Sequence, residues 1–371
     1  MQDLDVLVIG AGQAGLAAGH HLRMTGLTFA IVDGNDRVGD SWRRRFDSLT
    51  LFTPRSYSAL PGLAVAGDPD GLPGKDEIAD YLEVYAAHFQ LPLALGVAVS
   101  RLDRDGSAFR TALSDGRGFR AQTVIVATGA FQVPRPNKML GGYSADVRQL
   151  HAADYSNPLG IGAGTVLVVG DGATGRQIAL ELAPTNSVVL STGRPRRPTR
   201  STILGQSIFW WLDRLGLLRA SRDSVIGKRL MRADPFPGRN LELANLRAAG
   251  VTIVGRVATA SGHLATFTEG PQTEVDTVIW ATGYVDDTTW MAIPEVIDAR
   301  GSFIERRGIS PVPGLFFVGR SWQWTRGSAL LTGVGADAAY VIAQLQSTLA
   351  SRAQTSPTAE ATQTPGPSAA G

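Results

Sequence analysis

The chain has 371 residues, a formal net charge of +2, 43 glycines and no cysteine. Its length suits two or three domains, and the missing cysteine excludes disulfides, thiolate metal sites, iron–sulfur clusters and thiol redox relays. The even charge balance gives no ground for a nucleic-acid partner, the five histidines form no metal-ligand motif, and no apolar run reaches the roughly 18 residues of a membrane span.

The first ten residues enter a strand at once, which leaves no room for a signal peptide and predicts a cytoplasmic protein. Residues 4–10 (LDVLVIG) are a nearly continuous apolar run, the pattern of a buried parallel strand. A glycine-rich turn and an alanine-rich helix to about Met24 follow. Residues 29–32 (FAIV) read as a second strand ending at Asp33, so the chain opens on a βαβ unit. Residues 39–75, rich in Arg, Pro, Ser and Gly, read as an irregular excursion. Residues 76–89 place Ile78, Tyr81, Leu82, Tyr85 and Phe89 at helical spacing, with Asp76 and Glu77 in the first turn. Residues 123–127 (TVIVA) predict another buried strand, running into Thr128 and Gly129.

The pattern then restarts. Residues 165–170 (TVLVVG), a second glycine turn, a helix through Leu182 and a strand at 187–190 repeat the opening. Residues 277–281 (TVIWA) lead into Thr282 and Gly283, as the earlier strand led into Thr128 and Gly129. Residues 314–319 (GLFFVG) predict one more strand of the first unit, and residues 335–349 a final amphipathic helix. The small polar residues of 351–371 predict a disordered tail.

Gly10-Ala11-Gly12-Gln13-Ala14-Gly15 matches G-x-G-x-x-G between strand and helix. Gly10 permits the tight turn, Gly12 lets backbone approach a pyrophosphate, and Gly15 lets helix and strand pack closely. The phosphates sit on unpaired N–H groups at the helix N-terminus, including those of Gln13 and Ala14. Asp33, at the end of the second strand, suits a ribose diol. Gly170-Asp171-Gly172-Ala173-Thr174-Gly175 is the second copy. Its following strand ends without an acid, and Arg194, Arg196, Arg197 and Arg200 come next, which favours a 2′-phosphate and hence NADPH. Asp171 is an awkward neighbour for a pyrophosphate. Unequal ribose signals imply two cofactors, FAD first and NADPH second.

At these residues the chain resembles the flavin-containing monooxygenase family in the broad sense, including bacterial flavoproteins often labelled as involved in potassium transport and the plant YUCCA-type enzymes. The resemblance covers about residues 1–345. It rests on GAGQAG at 10–15, GDSWRRRFDSLTLFTPRSYSALPG at 39–62, ATG at 127–129, QLHAADY at 149–155, GDGATG at 170–175, WATGY at 280–284 and TRGSALLTGVGADAAY at 325–340. It implies two Rossmann-like dinucleotide-binding domains of α/β class. The NADPH domain, 156–284, is inserted in an FAD domain made of 1–155 and 285–350. It also implies a reaction: NADPH reduces FAD, reduced flavin and O2 give a C4a-(hydro)peroxyflavin, and the distal oxygen passes to a small substrate. The protein's part is orientation, exclusion of water and stabilisation of charge.

By motif match, Gly39, Trp42 and residues 47–54 resemble the segment that wraps the flavin. The turn at 332–335, with Thr332 and Gly333, resembles the one that brings a helix N-terminus to the flavin carbonyl edge. Thr128, Gly129, Thr282, Gly283 and Gly319 complete the cofactor-binding candidates. Arg43, Arg44 and Arg45 read either as phosphate contacts or as solvated charges. Phe52, His151 and Tyr155 are the candidates for the reacting centre. They also mark departures: Phe52 stands where relatives carry Asn or His, and the F-x-G-x-x-x-H fingerprint keeps only its histidine, His151, with Ala145 and Val147 replacing the Phe and Gly.

Residues 203–218 (ILGQSIFWWLDRLGLL) are aromatic and apolar, within a stretch, 194–247, that carries net +8 (12 Lys and Arg against 4 Asp and Glu). Three readings stand: a lid or substrate insertion over 203–245, a basic amphipathic helix touching an anionic membrane, or core plus solvated arginines. Three functions stand as well. The first is an NADPH- and O2-dependent monooxygenase acting on a small lipophilic compound, at a nitrogen or sulfur centre or a carbonyl or 2-oxo acid. The second is an NAD(P)H:acceptor oxidoreductase passing electrons to a quinone or electron carrier. The third is a flavin-binding regulatory protein without turnover. Oligomeric state and substrate identity are not written in the pattern.

Overall fold

The computed structural model describes residues 1–135, 140–193, 199–233, 238 and 240–355. Two parallel sheets carry the molecule, and they share one plan. In the first, the core order is Leu93–Ala94, Phe29–Val32, Gln2–Ile9, Gly118–Val126, Leu315–Phe317, all parallel. In the second it is Thr252–Val254, Ser187–Ser191, Thr165–Val169, Thr277–Trp280, Arg148–His151, again all parallel. Each unit thus has its opening strand at the centre, its βαβ partner on one side and its Ala-Thr-Gly strand on the other. The continuous apolar runs of those strands follow from burial on both faces: Val6, Leu7 and Val8 are fully buried in one sheet, and Leu167 and Val168 in the other.

Each unit also carries an antiparallel meander just before its Ala-Thr-Gly strand. In the first, Val99–Asp105 and Ala108–Leu113 extend the main sheet. In the second, Val257–Ser261, Leu264–Phe267 and Thr273–Glu274 form a separate sheet. Sequence periodicity did not resolve the meanders, because short half-exposed strands such as Val99–Asp105 carry little apolar contrast.

The fifth strand of each core is exchanged across the chain. Leu315–Phe317 joins the first sheet after the second unit is complete, and Arg148–His151 joins the second sheet before that unit's own opening strand. The two crossings lie side by side: Val133–Pro134 pairs antiparallel with Tyr284–Val285. The first crossing is therefore at this ribbon and not at residue 155, where the sequence placed the boundary. The strand Arg148–His151 looked like the end of the first unit because its pairing partner lies over a hundred residues downstream.

Element bounds otherwise differ by a few residues. The helix Gln13–Leu22 packs along Leu331–Thr355, and Lys75–His88 covers the same core. The last helix starts at Leu331 and runs through 351–355, residues that composition had assigned to the tail. Residues 356–371 lie outside the described residues.

Candidate functional site: two glycine turns

The two fingerprints fold to one geometry. Gly10 and Gly170 have φ of +109° and +110°, and a Cβ on either would stand 2.6 Å from the Ala127 carbonyl oxygen or 2.5 Å from that of Ala281. So each turn folds under the start of its own Ala-Thr-Gly segment, a close approach open only to glycine. A Cβ on Gly15 or Gly175 would run into the carbonyl of Gly10 or Gly170. Gly12 and Gly172 are different: they cap helices Gln13–Leu22 and Ala173–Leu182 with φ of −75° and −68°; nothing lies within 4 Å of a Cβ on Gly12, and Gly172 lines a cleft. Neither cap is filled by a side chain. Among the described residues no side chain therefore caps either helix N-terminus, one beside open space at Gly12 and one in the cleft at Gly172, the arrangement that holds a pyrophosphate.

A carboxylate ties each turn to the end of the neighbouring strand, from opposite sides. In the first unit Asp33, on the strand end, accepts from the Ala11 N–H at 2.6 Å through Oδ2, while Oδ1 takes Asn35 N at 2.8 Å and Asn35 Nδ2 at 2.7 Å. In the second unit Asp171, inside the turn, accepts from the Gly193 N–H at 3.3 Å. Its other oxygen accepts from Arg176 at 3.1 Å. Arg176 is fully buried, and also donates to the Asp171 and Leu241 carbonyls. Asp171 is thus held inward and neutralised, which removes the conflict with a pyrophosphate that its type suggested.

Above the second turn lies a cleft of about 330 Å³ whose walls include Gly172, Thr174, Thr282, Tyr284, Phe131 and His151. The Thr282 hydroxyl is buried with no hydrogen-bond partner among the described residues. A buried hydroxyl left unpaired costs about 1–3 kcal/mol, so it fits a group bound in this cleft. Gly283 and, in the first unit, Gly129 adopt φ of +84° and +74° with open space beside them. Thr128 accepts from Gln132 at 2.9 Å, and Gln132 in turn accepts from Asp287 N, tying the two crossings together.

In the first unit the cofactor candidates form a connected frame. Trp42 donates Nε1–H to Gln13 Oε1 at 3.2 Å, and Gln13 donates to the Ala329 carbonyl at 3.2 Å. The wrapping segment, the first helix and the 326–330 turn are thus linked at the helix N-terminus. Ala14 is buried beneath Gly319, where a Cβ would meet the Ala14 Cβ at 2.5 Å. Gly39 is the left-handed cap of a short helix, Asp40–Arg43, lying on Lys75–His88. Thr332 and Gly333 lie within the first turn of Leu331–Thr355, and Gly333 abuts Gly327. The turn inferred at 332–335 is therefore helix, and the real turn lies just before it: glycines are poor helix formers, but Gly333 packs closely on Gly327 and Gly335 on Pro61.

The reacting-centre candidates do not converge. Tyr155 is 1% exposed, packs on Phe46 and donates to Glu181 at 3.0 Å; burial and that carboxylate push its pKa up. It is a core residue with its hydroxyl committed. His151 accepts the Ala153 N–H through Nδ1 at 3.1 Å, which leaves Nε2–H to donate to the Gly283 carbonyl at 3.2 Å. Burial lowers its pKa. With both nitrogens engaged it positions the Ala-Thr-Gly junction and has no nitrogen free for proton transfer. Phe52 is half-buried and stacks on Phe209, at 6.2 Å and 15°. Tyr57 meets the same ring at 6.1 Å.

Arg194 and Arg197, with Arg196, lie outside the described residues. Arg43 is taken by Asp80 and Glu83 at 2.7 and 2.8 Å, and Arg44 by Asn35. Arg45, which the sequence offers as a phosphate contact or a solvated charge, instead has its guanidinium 4.7 Å over Phe131 and donates to the Tyr284 hydroxyl at 3.2 Å, with those two rings edge-to-face at 5.1 Å. It joins the wrapping segment to the second cleft. The available signal was the aromatic that follows each Ala-Thr-Gly, Phe131 and Tyr284.

A family model described as pyridine nucleotide-disulphide oxidoreductase matches residues 7–207. An "uncharacterized oxidoreductase CzcO-like" protein of Geobacillus kaustophilus is 46% identical over 341 residues, covering 91% of this chain and 97% of that one. The indole-3-pyruvate monooxygenase YUCCA1 of Oryza sativa subsp. japonica is 28% identical, over 83% of this chain and 82% of its own. A flavin-containing monooxygenase from Stenotrophomonas maltophilia superposes with a TM-score of 0.79 at 27% identity, over 94% of this chain and all of that chain.

Proposed function

The chain belongs to the pyridine nucleotide-disulphide oxidoreductase family, among its flavin-monooxygenase-like members, and from that premise we propose that it is an FAD-dependent monooxygenase using NADPH and O2. The observation that carries the reading is the pair of helix N-termini without side-chain caps at Gly12 and Gly172, one beside the Trp42–Gln13 frame and one in the cleft with the Thr282 hydroxyl, unpartnered among the described residues. FAD is held at the first turn with Asp33 on its ribose side, and NADPH at the second, where the carboxylate is turned inward onto Arg176. Arg194 and Arg197 stand next in sequence to receive the 2′-phosphate.

When bound, FAD accepts a hydride from the nicotinamide and delivers the electrons to O2. In the net reaction NADPH, a proton, O2 and substrate give NADP+, oxygenated substrate and water. With no cysteine in the chain, disulfide reduction by a thiol pair, which the family name includes, is closed to it. The chain's own residues bind, orient and exclude water. The Trp42–Gln13–Ala329 links fix the helix N-terminus where it meets the first cofactor, and a positive helix end favours an anionic partner there. His151 holds Gly283, and Arg45 closes the wrapping segment onto Tyr284. The segment Ile208–Arg214, with Phe209 packed on Phe52 and Tyr57, is the roof of the substrate space. Its aromatic walls fit a small lipophilic compound oxidised at a nitrogen or sulfur centre or at a carbonyl or 2-oxo acid.

The test is rapid mixing of the NADPH-reduced protein with O2 while the flavin spectrum is followed. A distinct absorbing species between the reduced and oxidised spectra supports oxygen transfer. A single-step return to oxidised flavin, with one peroxide released per NADPH under every substrate tried, overturns it. That result favours the acceptor-reductase reading, which the lack of a free acid–base group at Phe52, His151 and Tyr155 keeps in play.

A further inference from the structure

Fourteen large hydrophobic residues are exposed among the described residues, and six of them lie between 203 and 226: Ile203, Leu204, Trp210, Leu215, Val225 and Ile226. Leu204 and Val225 are 86% and 85% exposed. Single exposed apolar residues are ordinary, but a cluster of this density is not. The same stretch is the basic one: residues 200–233 carry seven Lys and Arg against Asp213 and Asp223.

The helix Ile208–Arg214 shows which way the cluster faces. Phe209 is buried against Phe52 and Tyr57, so that side is turned to the proposed substrate space. Trp211 lies roughly 200° further round the helix and donates its indole N–H to the Ile203 carbonyl at 3.0 Å. That bond seats the hairpin of Thr202–Ile203 and Gln206–Ser207, with Leu204 at its tip, on the outward side. Trp210, Arg214 and Leu215 project from the same outward half. The next helix, Val225–Ala233, buries Gly227 and exposes Val225 and Ile226 beside Lys228, Arg229 and Arg232. Those three cations and Arg214 have no acidic partner among the described residues, whereas Arg219 pairs with Asp213 and Arg306 with Asp223.

We infer that the outward face of residues 200–233 docks on an anionic lipid surface. Cations drawn to anionic headgroups, and isolated aliphatic and tryptophan side chains standing between them, are what an interfacial segment presents. A groove for a peptide would instead gather its apolar side chains into one concave pocket. No helix among the described residues is long and apolar enough to cross a membrane, so the contact is peripheral. The inference is independent of the proposed reaction, because its test measures partition and needs no turnover.

The experiment is sedimentation of the full-length flavin-loaded protein with phosphatidylglycerol–phosphatidylcholine vesicles at low salt, against pure phosphatidylcholine vesicles. The anionic vesicles should carry the protein down, the neutral ones should leave it in solution, and high salt should release it. Two double variants, Leu204→Ser with Leu215→Ser and Lys228→Glu with Arg229→Glu, should each lower partition by about tenfold. All four positions are exposed, and unchanged melting and flavin absorbance establish that the variants fold. Equal partition to neutral and anionic vesicles, or none at low salt, overturns the inference. Partition that falls with the charge variant but not with the leucine variant also overturns it, and reassigns the face to a polyanion such as an acidic protein.

Discussion

The two glycine turns differ in one place, the carboxylate, and that difference separates geometry from chemistry. Their backbones correspond: the same left-handed first glycine under an Ala-Thr-Gly carbonyl, the same extended second glycine at a helix N-terminus without a side-chain cap, the same close third glycine. Both need a tie between turn and strand end. In the first, the acid is on the strand end, where the proposed reading puts a ribose; in the second it is in the turn, buried against Arg176. One mechanical requirement is met twice, and the strand end is left acidic once and neutral once. On the proposed reading, cofactor choice follows from where the carboxylate sits, not from the shape of the turn.

The comparison can be broken most forcefully at the third glycines. Gly15→Ala should abolish flavin retention, and Gly175→Ala should leave a yellow protein that NADPH no longer reduces; the added methyl group has only the Gly10 or Gly170 carbonyl to enter. Flavin absorbance per chain and anaerobic reduction rate measure the two effects. If both variants lose flavin equally, the turns do not serve separate cofactors.

Next in size is Arg176→Met. It leaves Asp171 buried without its cation and the Leu241 carbonyl without its donor, a loss of about 3–5 kcal/mol. Thermal unfolding should show it, with Asp171→Asn in the same background recovering a large part. Asp33→Asn in the first unit should cost less, about 1–2 kcal/mol, because a neutral amide oxygen still accepts the Ala11 N–H; its larger effect should be weaker flavin binding.

Gly12→Ala and Gly172→Ala sharpen the contrast from the other direction. Both backbones suit alanine, and the Cβ position at Gly12 is empty. Stability of the Gly12 variant should therefore stay within about 0.5 kcal/mol, while flavin affinity falls in that variant and the NADPH KM rises in the Gly172 variant. Melting temperature and cofactor titration separate these readouts.

The smallest effect is the pH dependence of stability. Burial holds His151 below its ordinary pKa of 6.5, so the unfolded chain takes up the proton first. Stability is full above about pH 6.5 and falls as pH drops through that value toward the folded pKa. Burial moves His20 and His21 in the same direction. His151→Gln should therefore flatten the decline of melting temperature between about pH 8 and pH 5 without removing it; an unchanged slope would show that His151 is not protonated in the unfolding transition.

Local signals told most of what they could. Strand–glycine–helix motifs are contiguous, so Gly10, Gly12 and Gly15 and their second copies announced both turns, and the apolar runs announced the central strands. Phe52, His151 and Tyr155 were named by motif position alone. Only their partners revealed that Tyr155 is held by Glu181, His151 by Gly283 and Phe52 by Phe209. Arg45 was one of three adjacent arginines, and nothing local distinguished it from Arg43, which binds Asp80 and Glu83.

What the amino-acid order determined by itself was the doubled α/β plan, since hydrophobic period and glycine spacing act within a dozen residues. Tertiary structure alone decided which unit Arg148–His151 and Leu315–Phe317 complete, which way Asp171 turns, and what covers Phe52. Each of those depends on groups brought together from tens to hundreds of residues apart, whose meeting no local pattern encodes.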